Sequence, residues 1–232
     1  MNSLGIITIN YNRPKVLELW CSQIRRLRNE LGIFFPAVVV SEMSDVSICN
    51  PYFVHHISYE NKPVTNKFNR AFKYMQSLDV DSVMILGSDD IISTELMKNT
   101  LTEVDKGIDL IGVNTLYFYC GQGTNKGKMV KLERPYMSPF LGVAKTVSKK
   151  VLDQCDWTLW NTEKNWGMDA IASKTIAKYA ETRAQVEGMV VDVKTTINLN
   201  SFRVFGERKP VVPAEEFYKI LSEEELKLLH AL

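Results

Sequence analysis

The chain has 232 residues, 28 Lys and Arg against 27 Asp and Glu for a net charge of +1, and 45% hydrophobic against 24% charged residues. That balance belongs to an ordinary globular protein of about one domain. It carries no global field of the kind that marks a nucleic-acid coat or a membrane binder.

The longest apolar runs, such as Ile33 to Val40, fall well short of the roughly 20 residues a membrane helix needs. Asn2 and Ser3 lead into a short strand-like run with no basic segment and no long apolar core, so no signal peptide is expected. Cys21, Cys49, Cys120 and Cys155 stand far apart with no C-x-x-C pair, which argues against a zinc knuckle and a redox motif. The expectation is a reduced, cytoplasmic, single-domain protein.

Apolar runs alternate with helical stripes through the first half, the pattern of an α/β sheet. Gly5 to Ile9 reads as a buried strand, and Asn12 with Pro14 as a helix start. The stripe Val16, Trp20, Ile24, Leu27, Leu31 keeps helical spacing and stops at Gly32. Pro36 to Val40 is a second strand. Thr65 opens a helix with the stripe Phe68, Ala71, Phe72, Met75, and Ser82 to Leu86 is a third solid strand. Ser93 to Val104 reads as a helix and Asp109 to Val113 as a strand.

Beyond residue 114 the spacing predicts a hairpin, Leu116 to Cys120 and Lys128 to Leu132 around the glycine-rich 121–127. Helices are expected at Ser148 to Gln154 and Met168 to Tyr179, with a short strand at Val190 to Val193. Ser222-Glu-Glu-Glu225 is a capping-box pattern ahead of a Leu-rich tail helix. That tail packs either on the core or on a second copy of the chain, as a homo-oligomer; both readings stay open.

Gly87-Ser88-Asp89-Asp90 closes the third solid strand. Ligands of open α/β sheets bind beyond the carboxyl ends of strands, so both acids fall where a site is expected. Adjacent carboxylates repel, and a cation relieves them; hard oxygen ligands suit Mg²⁺ or Mn²⁺. The competing reading is that Asp89 or Asp90 caps the helix beginning near Ser93.

At this point the chain resembles a known family. Ile6-Ile7-Thr8-Ile9-Asn10-Tyr11-Asn12-Arg13-Pro14, then Val38-Val39-Val40-Ser41-Glu42, then Asn61-Lys62, then Leu86-Gly87-Ser88-Asp89-Asp90 look like a GT-A fold glycosyltransferase of the family-2 type. The resemblance covers most of residues 4 to 105 in order and spacing. It implies a Rossmann-like central mixed sheet flanked by helices, a small acceptor-side hairpin and C-terminal helices. Residues 1–113 would form the nucleotide-sugar-binding half and 114–232 the acceptor-side half of one domain.

Carried over by position, the resemblance implies a donor pocket of Asn10, Tyr11, Arg13, Glu42, Asn61, Lys62, Ser88 and Asp89, with Glu42 at the base. Asp89 would hold the metal, Mn²⁺ or Mg²⁺, with Asp90 beside it. Gly87 stands where the family's first metal-motif acid normally is. Trp166-Gly167-Met168-Asp169 matches the segment that carries the catalytic base, so Asp169 would deprotonate the acceptor hydroxyl, while Met168 replaces the other acid. Trp160 and Trp166 would form an acceptor platform, since aromatic faces stack on sugars; Trp157 and Trp160 also suit core positions. Lys194, Asn198, Asn200 and Arg203 follow the last strand, where related enzymes close over the diphosphate.

Between Lys126 and Lys150 stand seven Lys or Arg and one acid, either a solvated face or a seat for a phosphate-rich acceptor such as modified DNA of the phage type. The implied function is transfer, with inversion, from a nucleotide-diphosphate sugar, a UDP-sugar first, to a hydroxyl on a glycan or modified DNA. Two alternatives stand beside it, a non-catalytic nucleotide-sugar-binding module and a sugar-phosphate nucleotidyltransferase. The latter lacks its expected glycine-rich, basic loop after the first strand.

Overall fold

The computed structural model describes residues 2–135, 140–165, 167–196, 202 and 209–232. These form two sheets. In the first, β1 (Leu4–Ile9), β2 (Ala37–Ser41), β3 (His55–Ser58), β4 (Ser82–Ile85), β6 (Leu110–Gly112), β9 (Lys145–Ser148) and β10 (Arg183–Gln185) lie in the order β10-β6-β9-β4-β1-β2-β3. All run parallel except β9, which inserts antiparallel between β4 and β6. In the second, β5 (Asp90–Ile92), β7 (Thr115–Cys120), β8 (Met129–Glu133), β11 (Val190–Lys194) and β12 (Val211–Val212) lie in the order β12-β8-β7-β11-β5.

Successive residues of a strand face opposite sides, and the first sheet uses both. Leu4, Ile6, Ala37, Val39 and Met84 pack under α1 (Pro14–Leu31), α2 (Val46–Cys49) and α4 (Thr94–Asp105). Ile7, Val38, Val40 and Val83 face α3 (Val64–Ser77), α5 (Lys149–Gln154) and α6 (Met168–Ile176). A parallel sheet covered on both faces requires this kind of unbroken apolar strand. The hairpin β7–β8 forms as expected, with Leu116 opposite Leu132.

α1 ends at Gly32, whose φ of 66° is left-handed and suits a residue without a Cβ. The expected Asn12 cap is absent: Arg13 stands at the cap position, no side chain caps the helix, and Pro14 opens it. α4 is capped by Ser93, whose Oγ accepts from the Leu96 amide, so neither Asp89 nor Asp90 serves that purpose. Asp90 instead begins β5.

The tail forms α7 (Glu215–Lys219) and α8 (Glu223–His230), the latter with the full capping box of Ser222 and Glu225. Phe217, Leu221 and Leu229 bury their side chains against Leu19 of α1 and against Tyr119, Val191 and Val193 of the second sheet. The apolar face of the tail is thus spent on the core of its own chain. No helix of the described residues is long and apolar enough to cross a membrane.

Candidate active site

The carboxyl ends of β1 and β4, neighbours in the sheet, carry the first group of residues. After β1 the chain turns through Asn12, at a φ of 49°, into Arg13. The Arg13 guanidinium crosses to the loop after β4, where Nη1 donates to Asp89 Oδ2 at 2.9 Å and Nη2 to Ser88 Oγ at 2.7 Å. Two loops far apart in sequence are tied together by one fork of donors.

Asn10 is buried; its Nδ2 donates to Asp45 Oδ2 at 2.8 Å, and its carbonyl accepts from Lys67 Nζ at 2.5 Å. Its side-chain Oδ1 has no hydrogen-bond partner. Tyr11 is exposed beside it. Glu42 follows β2 with its side chain in solvent, and His56 Nε2 lies 3.1 Å from its carbonyl. Half-buried Asn61 and exposed Lys62 sit in the connection from β3 to α3. Glu42, Asn61 and Lys62 therefore follow the carboxyl ends of β2 and β3, and none of them lines the cleft that holds the carboxylates.

β5 pairs antiparallel with β11 so that Asp90 stands opposite Asp192. Carboxylate oxygens of Asp89, Asp90 and Asp192 lie within 4.8 Å of one another, a spacing one ion can span. Asp90 is buried and its Oδ2 accepts the Gly87 N–H at 2.8 Å. Asp192 Oδ2 pairs with Lys194 Nζ at 2.5 Å, while Asp192 Oδ1 is buried without a partner. Burial, then the charges of Asp192 and Asp89, push the Asp90 carboxyl well above the ordinary carboxylate range. Burial and the charge of Asp89 push Asp192 up to about 7. Charged forms so crowded are relieved by a cation among them.

These acids line a cleft of about 320 Å³. Asp169, in the first turn of α6, lines the same cleft, with Lys145, Arg134 and the apolar walls of Phe68, Leu141 and Trp160. Asp169 enters because residue 142 is glycine: a Cβ there would stand 2.2 Å from Asp169 Oδ2. Lys145 is almost wholly buried and donates to Ser173 Oγ at 2.8 Å. Burial lowers its pKa, the Asp169 charge opposing and the Arg134 charge assisting.

Trp160 faces the cleft but is chiefly a packing residue. It is 4% exposed, its ring centroid lies 5.2 Å from that of Phe68, and Nε1 donates to the Met168 carbonyl at 3.0 Å, fixing the start of α6. Trp157 is wholly buried. Trp166, Asn198, Asn200 and Arg203 lie outside the described residues. The basic run does not make one face. Lys145 lines the cleft, whereas Lys149 and Lys150 lie at the opposite end of the sheet, paired with Asp79 and Glu181 at 2.6 Å each.

Sequence reasoning missed Asp192, Lys145, Asp45 and Lys67. For Asp192, Lys145 and Lys67 the available signal was a charged residue interrupting an apolar strand, as in Val190-Val191-Asp192-Val193, or a helical core stripe; Asp45, in the turn after β2, carried no such signal.

No protein-family model matches the sequence, and no curated protein does. Solved structures do. A fragment of S. aureus TarS, residues 1–349, superposes with a TM-score of 0.58 at 15% identity over 98% of this chain and 69% of that one. A longer S. aureus TarS structure gives a TM-score of 0.59 at 15% identity, over 98% of this chain and 42% of that one. TarS is a family-2-like GT-A glycosyltransferase. This chain has the GT-A fold. A putative glucose-1-phosphate thymidylyltransferase from Bacillus anthracis, solved with sucrose, follows at a TM-score of 0.51 and 11% identity, over 83% of this chain and 89% of that one. The chain therefore spans about two thirds of the TarS fragment and under half of the longer TarS chain. At 11–15% identity these likenesses are ones of fold.

Proposed function

We propose that the protein is a metal-dependent, inverting glycosyltransferase that moves a sugar from a nucleotide-diphosphate sugar, a UDP-sugar first, to an acceptor hydroxyl. The observation that carries this reading is the shared cleft, whose lining includes Asp89, Asp90 and Asp169. Asp89 and Asp90 are the residues to hold Mn²⁺ or Mg²⁺; hard, crowded carboxylate oxygens fit such an ion. When bound, the ion supplies neutralisation of the charge that builds on the leaving diphosphate.

The remaining work belongs to the chain. Arg13 and Lys194 add fixed positive charge beside the carboxylates, facing the same diphosphate. Asn10, Tyr11, Glu42, Asn61, Lys62 and Ser88 receive the rest of the donor. Asp169 accepts the acceptor's hydroxyl proton as that oxygen bonds to the anomeric carbon and the carbon–diphosphate bond breaks on the opposite face. The apolar walls limit water, the competing acceptor. Trp160 serves the acceptor side by setting α6, and Trp166 is assigned to the same platform.

Of the two acceptors, a glycan suits the site better than DNA, because Lys149 and Lys150 are paired with acids at the far end of the sheet. A nucleotidyltransferase is disfavoured by the β1–α1 connection, Asn10-Tyr11-Asn12-Arg13, which has no glycine. The specific observations that favour a non-catalytic module are Gly87 and Met168, and release of UDP discriminates. Active protein should liberate UDP from its donor even without acceptor, and Asp169→Asn should lower transfer by about 100-fold or more while donor binding is retained. Normal transfer by Asp169→Asn would remove the residue from its assigned role.

A further inference from the structure

We propose that Asp192 is a ligand of the divalent cation, supplying from β11 the carboxylate that Gly87 does not. This rests on the metal-dependent reading above. A Cβ at position 87 would lie 2.6 Å from Asp90 Oδ2 and 3.1 Å from Asp89 Oδ1, so a side chain there would require the Asp90 carboxylate to shift. The Gly87 amide itself donates to Asp90 Oδ2 at 2.8 Å, so the Asp90 carboxylate folds back over the glycine and occupies that space.

The missing acid returns from elsewhere in the fold. β11 runs antiparallel to β5 and sets Asp192 opposite Asp90, bringing a third carboxylate to within 4.8 Å of the other two. Asp89 is bound by Arg13 and Asp192 by Lys194, and Asp90 is the most buried of the three. One oxygen of Asp192 accepts from Lys194; the other, Oδ1, is shielded from solvent and accepts no hydrogen bond among the described residues. A buried carboxylate oxygen without a donor beside two further carboxylates is an arrangement that a cation completes. Lys194 then has a second purpose, holding Asp192 in its orientation as an outer-shell partner does.

The test measures Mn²⁺ binding directly, from loss of the free-ion electron paramagnetic resonance signal in the presence of UDP, on wild type, Asp89→Asn, Asp192→Asn and Asp192→Cys. Asp192→Asn keeps the shape of the side chain and should weaken Mn²⁺ by about tenfold or more. Asp192→Cys replaces a hard oxygen with a soft sulfur, so its Cd²⁺ to Mn²⁺ affinity ratio should rise by about tenfold over wild type. A residue that only supported the fold would not shift that ratio, and the two variants also guard against one of them failing to fold. Mn²⁺ affinity lost in Asp89→Asn but unchanged in Asp192→Asn, or an unchanged ratio in Asp192→Cys, overturns the role of Asp192 and leaves the metal site standing. No Mn²⁺ binding by wild type overturns both.

Discussion

Lys67 lies under the turn that follows β1, 1% exposed, with its ammonium on the Asn10 carbonyl. Burial holds its pKa down to about 8 against an ordinary 10.5, with the charges of Asp45 and Glu42 opposing the shift. Between those two pH values the unfolded chain binds more protons than the folded one, so this group makes stability rise with pH across that window and contributes nothing to the slope below it. At about 1.4 kcal/mol per unit, the gain is at most about 3.5 kcal/mol. Denaturant midpoints of wild type and Lys67→Met, taken from about pH 7.5 to about pH 10, should converge or cross in the wild type's favour as pH rises. A constant difference between the two would contradict the burial of a charged amine.

At this scale legibility depended on context. Asp89 and Asp169 could be singled out as candidates because each sits in a short motif at an element boundary, where order along the chain carries information, and both line the cleft. Asp192 was not. A single acid in Val190-Val191-Asp192-Val193 has no spacing of its own, and its meaning comes only from the strand register that sets it opposite Asp90.

Among the elements, α1, α3 and α4 were legible from stripes of apolar residues, and α8 from its capping box, because those signals are local. Three short strands, β5, β9 and β10, were not. β5 opens with an aspartate, β9 with a lysine, and β10 contains Arg183 and Gln185, so none has the apolar run or alternation that identifies a strand. Their pairing comes from the sheet that receives them. β9 is the consequential case, since its insertion beside β4 brings Lys145 into the cleft and sends Lys149 and Lys150 to the other end.

α8 is anchored by a buried ion pair: Arg26 Nε donates to Glu225 Oε2 at 2.8 Å, and Glu225 is wholly buried. Arg26 also donates to the Ile92 carbonyl, so the pair links α1, α8 and the end of β5. Breaking such a pair leaves a buried charge unpaired, at a cost of about 3–5 kcal/mol. Glu225→Ala should lose that much stability in urea unfolding. A change under about 1 kcal/mol would mean that the tail contributes no more than a surface pair does.

At the scale of the whole molecule, both sheets contribute residues to the cleft. The parallel sheet delivers the turns after β1 and β4, and the second sheet contributes β11 and the walls Leu116, Phe118 and Leu132. The sequence pattern up to residue 113 made β1, β2, β4 and β6 of the first sheet readable as part of an α/β fold. How the second sheet closes over it was not readable, because β5 lies early in the chain yet pairs with β11 about a hundred residues later. The chemical claim depends on that closure, since it unites the acids of one sheet with Asp169 of α6.

The most direct test of the central claim is thermal stabilisation of the wild type and Asp89→Ala by a panel of nucleotide sugars, each with and without Mn²⁺. The account predicts a shift of several degrees with one donor, present only with the metal and lost in Asp89→Ala. Absence of a shift with every donor, or a shift that Asp89→Ala retains, would contradict a metal-held diphosphate in this cleft.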